Sequence, residues 1–548
     1  MTAVTHLKST SVSRWLQPSA NISFSTHMQS PGVRIFSFRA HSSTMSSTTG
    51  HNKPLASLAV LIVESCPEVV VTFLTSASML PKIMSELERL DPSHSQVIRS
   101  RLHVLDISGA ILDPRLPLAG FAPAYAALQK GKAVTCRSSG KTIANLPAPT
   151  LGIIDPFTAY AIEAIRVIAK DTPILAWWTA PAGALLRLLG PSSIGGMADP
   201  SIETLDGRAA MKAKIFARKE FEPYRCTGEV LTTIPGLAPL FDYEWFPQRT
   251  PLSDLTPIIE RIGCIYIRET DGLICTSSPA FEPRAIAAAH KWYASIGKEW
   301  FSLGSLTKHI ETSSTKNRVT ANSDTNKQVI EFLNRMQENF GGRSLIYISF
   351  GTIFFPLNPE KVWAVLEELV DTKTPFFFAH PSPWITLPSE LETKIAESGC
   401  GMELTWSPQE IILSHPVTGW FITHGGWNSI QEALVHRIPL IFWPCQADQP
   451  YNATLMSRNH QAGFELFSVR TGDNGVRLPY RYKDAPAPPC FTTEGAKEEI
   501  RALFKRIKDE EGVVVRKNFC MLAESMGKAW DAEGPAKVDF SAFLQRYV

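Results

Sequence analysis

Residues 406–449 combine side chains and glycines that suit the binding of a phosphorylated ligand. Residues 420–423 are predicted to form a strand, and the turn His424-Gly425-Gly426 follows it. Glycine in such a turn lets backbone N–H groups approach a ligand closely. The helix predicted over residues 428–436 begins there, and helix N-termini with a glycine-rich entry bind phosphate through free N–H groups and the helix dipole. The segment therefore predicts a phosphate site.

Further polar residues of this segment should lie on the same rim of a parallel sheet. Residues 438–443 are predicted to form the next strand, and Asp448 and Gln449 lie in the loop after it. Ligands bind beyond the carboxyl ends of the strands in such sheets, so both polar clusters should face one ligand. Trp406, which precedes them, offers a flat face on which a base could stack.

The segment as a whole resembles the signature box of the UDP-dependent glycosyltransferases of plant and fungal small-molecule metabolism. Its length of 44 residues, from the opening Trp to the closing Gln, matches that family. The resemblance implies a GT-B fold, in which two Rossmann-like domains face each other across a cleft. It also implies metal-independent chemistry with no cofactor, because the UDP-sugar is a co-substrate.

The resemblance assigns a role to each position of the donor site. Trp406 would stack on uracil, Gln409 would lie close to the ribose, and Glu432 would bind the ribose hydroxyls. The other positions would hold the diphosphate or the sugar. The diphosphate would be held by His424, Asn428 and Ser429, with Gly426 in the turn. The sugar would be contacted by Trp427, Asp448 and Gln449. Thr352 would contact the donor phosphates, and Thr179 would contact sugar or phosphate.

Inverting glycosyl transfer requires a base that takes the proton of the acceptor hydroxyl. A neutral histidine suits this role near pH 7, and a carboxylate can fix its tautomer. Gly50-His51-Asn52-Lys53-Pro54 resembles the G-H-x-x-P element that carries the family's catalytic histidine. Asp155, after a strand predicted over residues 151–154, resembles the aspartate that orients it. We therefore predict His51 and Asp155 as the catalytic pair.

Both residues also allow ordinary interpretations. His51 could be a surface-loop histidine, and Asp155 could cap the following helix. Residues 39–49 separate the first predicted strand from His51, whereas the family runs almost directly from strand to Gly-His. His41, which lacks the flanking Gly and Pro, is a weaker alternative base. A protein that binds a UDP-sugar without catalysis is therefore an alternative.

Strand-like and helical stretches alternate along the chain, which predicts an α/β protein with parallel sheets. The first β-loop-α-β unit would comprise a strand at 33–38, a helix, and a strand at 69–74. A second unit would start with a strand at 344–350 and a helix at 361–369. The polar stretch 308–327 lies between the two systems and lacks apolar periodicity, which predicts a linker.

The predicted domains follow from this division. They are a disordered tail at 1–32, an acceptor-binding Rossmann-like domain at 33–307, the linker at 308–327, a UDP-sugar-binding Rossmann-like domain at 328–525, and a terminal helix at 526–548 that braces the first domain. Residues 1–63 contain no acidic residue, a bias that organelle transit peptides share. A disordered tail or a mis-assigned start, with Met45 as the other start, are the alternatives.

Composition and motifs argue against several other classes. The chain has 54 Lys and Arg against 52 acidic residues, so its charge indicates no nucleic-acid partner. No apolar run reaches the ~18 residues of a membrane span. The nine cysteines include no C-x-x-C pair, which favours reduced thiols in the cytoplasm. No G-x-G-x-x-G follows the strand predicted at 33–38 or the one at 344–350, which argues against a dinucleotide-binding site. We expect a cytoplasmic monomer.

The sequence thus predicts inverting transfer of a hexosyl group from a UDP-sugar to a hydroxyl of a small lipophilic acceptor. Asp448-Gln449 resembles the ending common in glucose users, which favours glucose. The acceptor pocket should include residues 241–246, whose aromatic side chains favour a lipophilic acceptor. A sterol or lipid glycosyltransferase is the alternative within this class, and a nicotinamide-dependent oxidoreductase is the alternative outside it.

Overall fold

A computed structural model describes most of the chain after the first helix begins. The described residues are 49–88, 100–108, 120–196, 230–249, 263, 265–306, 324–352, 354–381 and 385–548. All of them belong to one compact unit, residues 32–548. The predicted tail, the first predicted strand and His41 lie outside the described residues, as does the linker up to residue 323.

The first half of the chain forms two parallel sheets flanked by helices, and two short antiparallel pairs of strands. Its strands are β1 Val71–Thr75, β2 Leu102–Asp106, β3 Val134–Thr135, β4 Thr142–Ile143, β5 Gly152–Ile154, β6 Ile174–Trp178, β7 Leu231–Thr232, β8 Leu240–Phe241, β9 Gly272–Cys275 and β10 Glu299–Ser302. Its helices are α1 Thr49–Ser65, α2 Leu80–Glu88, α3 Phe121–Gln129, α4 Tyr160–Ile168, α5 Ala182–Leu189 and α6 Pro283–Ser295. Strand order in the larger sheet is β10-β9-β6-β5, and β1 pairs with β2 in parallel. The antiparallel pairs are β3 with β4 and β7 with β8.

The second half forms a single six-stranded parallel sheet. Its strands are β11 Leu345–Ser349, β12 Phe376–Ala379, β13 Gly401–Leu404, β14 Thr418–Thr423, β15 Leu440–Phe442 and β16 Gly463–Glu465. Its helices are α7 Asp324–Phe340, α8 Glu360–Asp371, α9 Ser389–Ser398, α10 Gln409–Ser414, α11 Trp427–His436, α12 Gln449–Thr454, α13 Gly472–Gly475, α14 Thr493–Arg506, α15 Glu510–Gly527 and α16 Pro535–Tyr547.

Strand order in the second sheet places a ligand-binding crevice between β11 and β14. The order β13-β12-β11-β14-β15-β16 runs outward in both directions from β11, which is the doubly wound Rossmann topology. Every residue of β11, β12, β14 and β15 is buried, as expected for parallel strands covered by helices on both faces. Ligands bind where the strand order reverses, beyond the carboxyl ends of β11 and β14.

Several predicted boundaries are wrong by a few residues. Helix α1 begins at Thr49, so His51 lies in its first turn and not in a loop before it. Helix α7 begins at Asp324, so the last four residues of the predicted linker are helical. The domain bounds themselves stay predictions.

The terminal helix α16 returns to the first half of the chain. Phe540 and Phe543 are buried in the same apolar cluster as Leu303 and Leu306, which follow β10. A carboxylate oxygen of Asp539 accepts the Ser302 N–H at 2.6 Å. Nothing in the described part of the chain is a helix long and apolar enough to cross a membrane.

Candidate active site

His51, Asp155 and Thr179 meet at the amino-terminal end of α1. The Nδ1 of His51 lies 2.8 Å from Oδ2 of Asp155 and 3.1 Å from Oγ1 of Thr179. A carboxylate can only accept a hydrogen bond, so Nδ1 carries the proton and Nε2 of the neutral ring keeps its lone pair. Asp155 is nearly fully buried, whereas about a quarter of the His51 side chain (23%) is exposed. Nε2 of His51 can therefore act as a base.

Two further contacts hold this pair in place. Oδ1 of Asp155 accepts the Phe157 N–H at 3.0 Å, which caps the short 3₁₀ helix that follows β5. The Phe157 ring packs edge-on against the imidazole of His51, with centroids 5.0 Å apart. Asp155 thus has both the geometry of an orienting carboxylate and that of a helix cap.

The turn after β14 is shaped around the ring of His424. Gly425 has φ +84° and Gly351, after β11, has φ +70°, both in the left-handed region that favours glycine. A Cβ at Gly351 would lie 2.8 Å from the His424 ring, and one at Gly426 would lie 2.6 Å from it. Burial lowers the pKa of His424 to about 4, so this imidazole is neutral near pH 7.

Helix α11 begins beside this turn with an open N-terminus. Gly426 is its N-cap and supplies no side-chain cap. The first N–H groups of a helix have no intrahelical partner. That of Trp427 donates to Asp448, and those of Asn428 and Ser429 face the turn as candidates for an anion. Asn428 and Ser429 are half-buried in this first turn. This is the arrangement that the sequence predicted for the diphosphate.

Glu432 is held by partners from both halves of the chain. Nε2 of Gln409 donates to its Oε2, and Nζ of Lys53 donates to its Oε1 at 3.2 Å. The Tyr347 hydroxyl donates to Oε1 of Gln409 at 3.0 Å and so orients the amide. Burial opposes ionisation of Glu432, but the charge of Lys53 and the hydrogen bonds outweigh it and lower the pKa of this carboxyl.

Asp448 and Gln449 lie after β15 on the same rim. Oδ2 of Asp448 accepts from the Trp427 N–H at 3.2 Å and from the Asn452 side chain at 2.9 Å. Burial raises the pKa of Asp448 to about 6, against these hydrogen bonds and the charge of His51. Oε1 of Gln449 accepts the N–H groups of Cys445 and Gln446.

The two predicted donor-site tryptophans differ in their surroundings. Trp406 follows β13 and is 65% exposed, so its ring face is accessible. Trp427 is 2% exposed, and its Nε1 donates to the carbonyl and hydroxyl oxygens of Thr276. The Trp427 side chain therefore packs between the halves of the chain, and its backbone N–H donates to Asp448. Its predicted contact with the sugar stays a prediction. Thr352 is half-buried in the turn after β11.

The aromatic segment predicted for the acceptor pocket contacts the second half of the chain. Residues 242–245 are all buried. The Glu244 carboxylate accepts the Tyr480 N–H at 2.8 Å and pairs with Arg470 at 3.4 Å. This segment thus contacts the second half of the chain, and its predicted role in the acceptor pocket stays untested.

Three residues near the site escaped the sequence interpretation: Lys53, Tyr347 and Phe157. Lys53 lies inside the Gly-His element, but its partner Glu432 is 379 positions away. Tyr347 looks like any other apolar member of the strand 344–350. Phe157 belongs to an Asp-x-Phe element after the strand predicted over residues 151–154, but its packing against His51 is a tertiary contact. No local signal distinguishes these residues, because each acts through a tertiary contact.

The chain is similar in sequence to known glycosyltransferases. A profile of the family described as "UDP-glucoronosyl and UDP-glucosyl transferase" matches residues 317–476. UDP-glycosyltransferase eriJ of Hericium erinaceus is 28% identical over 90% of this chain and 96% of its own length. Flavonol 3-O-glucosyltransferase F3GT2 of Actinidia chinensis is 32% identical over 37% of this chain and 39% of its own length.

A solved structure supports the fold assignment. Medicago truncatula UGT71G1 complexed with UDP-glucose superposes with a TM-score of 0.63 at 15% identity, covering 94% of this chain and 98% of that one. Two halves built on parallel sheets, with the candidate site between them, have the GT-B architecture, as predicted. Residues 317–476 carry the match to the UDP-glycosyltransferase family, and the curated relatives from fungi and plants confirm the predicted family and enzyme class.

Proposed function

We propose that this UDP-glycosyltransferase transfers glucose from UDP-glucose to a hydroxyl of a small lipophilic molecule, with inversion and with His51 as the base. The observation that carries the proposal is the 2.8 Å contact between His51 Nδ1 and Asp155 in the first turn of α1. The same turn contacts the donor rim through Lys53 and Glu432 at 3.2 Å. Base and donor site therefore belong to one cleft.

The proposed chemistry starts with proton transfer at His51. Nε2 takes the proton of the acceptor hydroxyl while its oxygen attacks the anomeric carbon of the donor. The bond to the diphosphate breaks on the opposite face, which inverts the configuration. The imidazolium that forms is stabilised by the buried Asp155 carboxylate, because Nδ1–H already donates to it.

The leaving diphosphate would be stabilised by the N-terminus of α11 without a metal. Its free N–H groups and the helix dipole favour negative charge, and Asn428 and Ser429 add polar groups in the same turn. His424 contributes a neutral imidazole, since burial lowers its pKa to about 4. Among the described residues, no cluster of three or more His, Cys, Asp or Glu side chains could hold a metal ion.

Glucose and a lipophilic acceptor are favoured by the relatives. F3GT2 is named for a flavonol acceptor, and the UGT71G1 structure contains UDP-glucose. Asp448 and Gln449 would contact the sugar, and Trp406 has the exposed ring face that stacking on uracil requires. We also propose that the protein is a monomer. We propose the cytoplasm as its location, because the seven cysteines of the described ranges are all free thiols.

The test is UDP release from UDP-glucose with a panel of phenols, flavonoids and sterols. We expect wild-type turnover with a phenolic acceptor and a loss of about 10²- to 10⁴-fold in kcat for His51→Ala, the usual contribution of a general base. UDP-glucose affinity should be unchanged in that variant. His290→Ala, at an exposed position of α6, is the matched control and should keep full activity.

Each other result points to a different conclusion. UDP-glucose binding without UDP release for any acceptor would indicate a binding protein without catalysis. Turnover of sterols alone would indicate a sterol glycosyltransferase. Full activity of His51→Ala would exclude His51 as the base.

A further inference from the structure

Lys53 connects the base helix to the donor site. It lies in α1 two residues after His51, and its Nζ donates to Glu432 Oε1 at 3.2 Å. Glu432 is in α11, the helix whose N-terminus faces the proposed diphosphate site. The exposed fractions of the two side chains are 23% and 26%, so the pair is neither buried in the core nor free at the surface.

Both oxygens of Glu432 have a donor in this structure, and both keep capacity for another. Gln409 donates to Oε2 and Lys53 donates to Oε1. The two oxygens of a carboxylate offer about four lone-pair sites in total, so ribose hydroxyls can join these donors without displacing them. The Gln409 amide is itself oriented by the buried Tyr347 hydroxyl at 3.0 Å. The Glu432 carboxylate is therefore oriented and ionised in the absence of a ligand.

We propose that Lys53 is a positioning residue for the ribose of the donor: from the other half of the chain, its ammonium holds the Glu432 carboxylate ionised and oriented for the ribose hydroxyls. This inference rests on the proposed function, since it takes Glu432 as the ribose ligand. Lys53 lies in the first half of the chain, which carries the base, so this half also takes part in donor binding. Donor binding and the position of the His51 helix are then linked through one ion pair.

The electrostatics around Glu432 agree with this role. The charged and titratable groups facing it are Lys53 from α1, His436 from α11 and the Tyr347 hydroxyl from β11, with Glu410 of α10 beside His436. Burial raises the pKa of Glu432, and the Lys53 charge is the largest of the opposing effects, which together lower it. Removing Lys53 should therefore raise the pKa of Glu432 and weaken it as an acceptor at mildly acidic pH.

The experiment compares two nucleotides in calorimetric titrations of the full chain. UDP carries both ribose hydroxyls, and 2′,3′-dideoxy-UDP carries neither but keeps the base and the diphosphate. Lys53→Met should raise the Kd of UDP about three- to five-fold, the size expected for a half-exposed ion pair. Lys53→Met should leave the Kd of the dideoxy nucleotide unchanged, because that ligand has no ribose hydroxyl to donate to Glu432.

Two further variants control for charge and folding. Lys53→Arg keeps the cation and should keep most of the UDP affinity. Lys497→Met removes a similar pair, Lys497–Glu367 at 2.9 Å with the lysine 23% exposed, outside the cleft, and should bind both nucleotides like wild type. The unchanged affinity for the dideoxy nucleotide also shows that Lys53→Met is folded.

A pH series provides a second measurement. As pH falls, the preference for UDP over dideoxy-UDP should disappear at a higher pH in Lys53→Met than in wild type, because Glu432 protonates earlier. An equal loss of affinity for both nucleotides, or no loss for either, would overturn the proposal. If wild type binds no UDP at all, the proposed function fails and this inference fails with it, whereas an equal loss for both nucleotides in a protein that binds UDP overturns the role of Lys53 alone.

Discussion

Each carboxylate oxygen of Asp155 accepts a different hydrogen bond. Oδ2 accepts from His51 Nδ1 at 2.8 Å, and Oδ1 accepts the Phe157 N–H at 3.0 Å. The first contact selects the tautomer of the base, and the second caps a helical turn. The two interpretations that the sequence allowed for Asp155 are therefore compatible, and substitutions can separate them.

Asp155→Asn should reduce activity without a large loss of stability. The amide oxygen can still cap Phe157, but the amide nitrogen is a donor and favours the histidine tautomer that protonates Nε2. We expect a fall of about 10²- to 10⁴-fold in kcat, as when the carboxylate of a catalytic triad becomes an amide. Asp155→Ala should also lower the free energy of unfolding by about 1 kcal/mol through loss of the cap.

Steady-state kinetics and urea unfolding measure the two effects. Full activity in Asp155→Asn would show that the carboxylate does not set the histidine tautomer. Equal unfolding midpoints for the Asn and Ala variants would show that the cap contributes nothing.

Helix α16, near the carboxyl end of the chain, packs against the core of the first half. Phe543 is fully buried, and its ring centroid lies 5.9 Å from that of Phe301 on β10. Phe540 lies beside it, and Asp539 accepts the Ser302 N–H. A covalently distant helix thus covers strand β10 with both apolar and polar contacts.

Phe543→Ala should destabilise the first half of the chain. Removing a buried phenylalanine leaves a cavity, which costs about 3–5 kcal/mol. Val538→Ala, at a position of the same helix that is 54% exposed, is the control and should have no measurable effect. Hydrogen exchange of β9 and β10 measures the result, and protection equal to wild type in Phe543→Ala would contradict the bracing role of α16.

At the scale of the whole molecule, buried polar contacts join the two halves. Glu282 accepts the N–H groups of Ala182 and Gly183 in the first half, and the Tyr451 hydroxyl from the second half at 2.8 Å. Trp427 donates to Thr276 across the same boundary. A buried carboxylate with three donors is satisfied, so this interface has a defined geometry and does not rest on apolar contact alone.

Gly183→Ala should destabilise the protein, although the same change stabilises most helices. In an ordinary helix, alanine is favoured over glycine by about 1 kcal/mol. Here the new Cβ would lie 2.1 Å from Cζ of Tyr451, and such overpacking costs about 1–3 kcal/mol. The clash should therefore win, and the urea midpoint should fall.

The control is Gly342→Ala, where a new Cβ meets only the Pro416 carbonyl oxygen at an ordinary 3.6 Å. Its unfolding midpoint should match wild type. A second variant, Gly183→Ala with Tyr451→Ala, should have a smaller loss than the sum of the single changes, because the residues are in contact. A Gly183→Ala protein as stable as wild type would show that the interface tolerates movement of Tyr451.

The family and the fold class could be inferred from the sequence alone, which also predicted the donor half of the candidate site. These depend on signals contained in short stretches: strand, glycine turn and helix follow one another within residues 418–436, and the box spans 44 positions. Parallel strands end at one rim, so strand order alone predicts that Asp448 lies near the helix at Asn428. Burial of β11 and β14 follows from their continuous apolar composition.

Only the tertiary structure decided which distant residues meet. His51 contacts Asp155 across 104 positions, and Lys53 contacts Glu432 across 379. The sequence identified His51 and Asp155 through family motifs, yet it carried no sign of Lys53, nor that residues 242–245 would be buried against Arg470. Such contacts depend on how two separately folded sheets pack, and packing is set by the sum of many weak interactions that leave no local pattern.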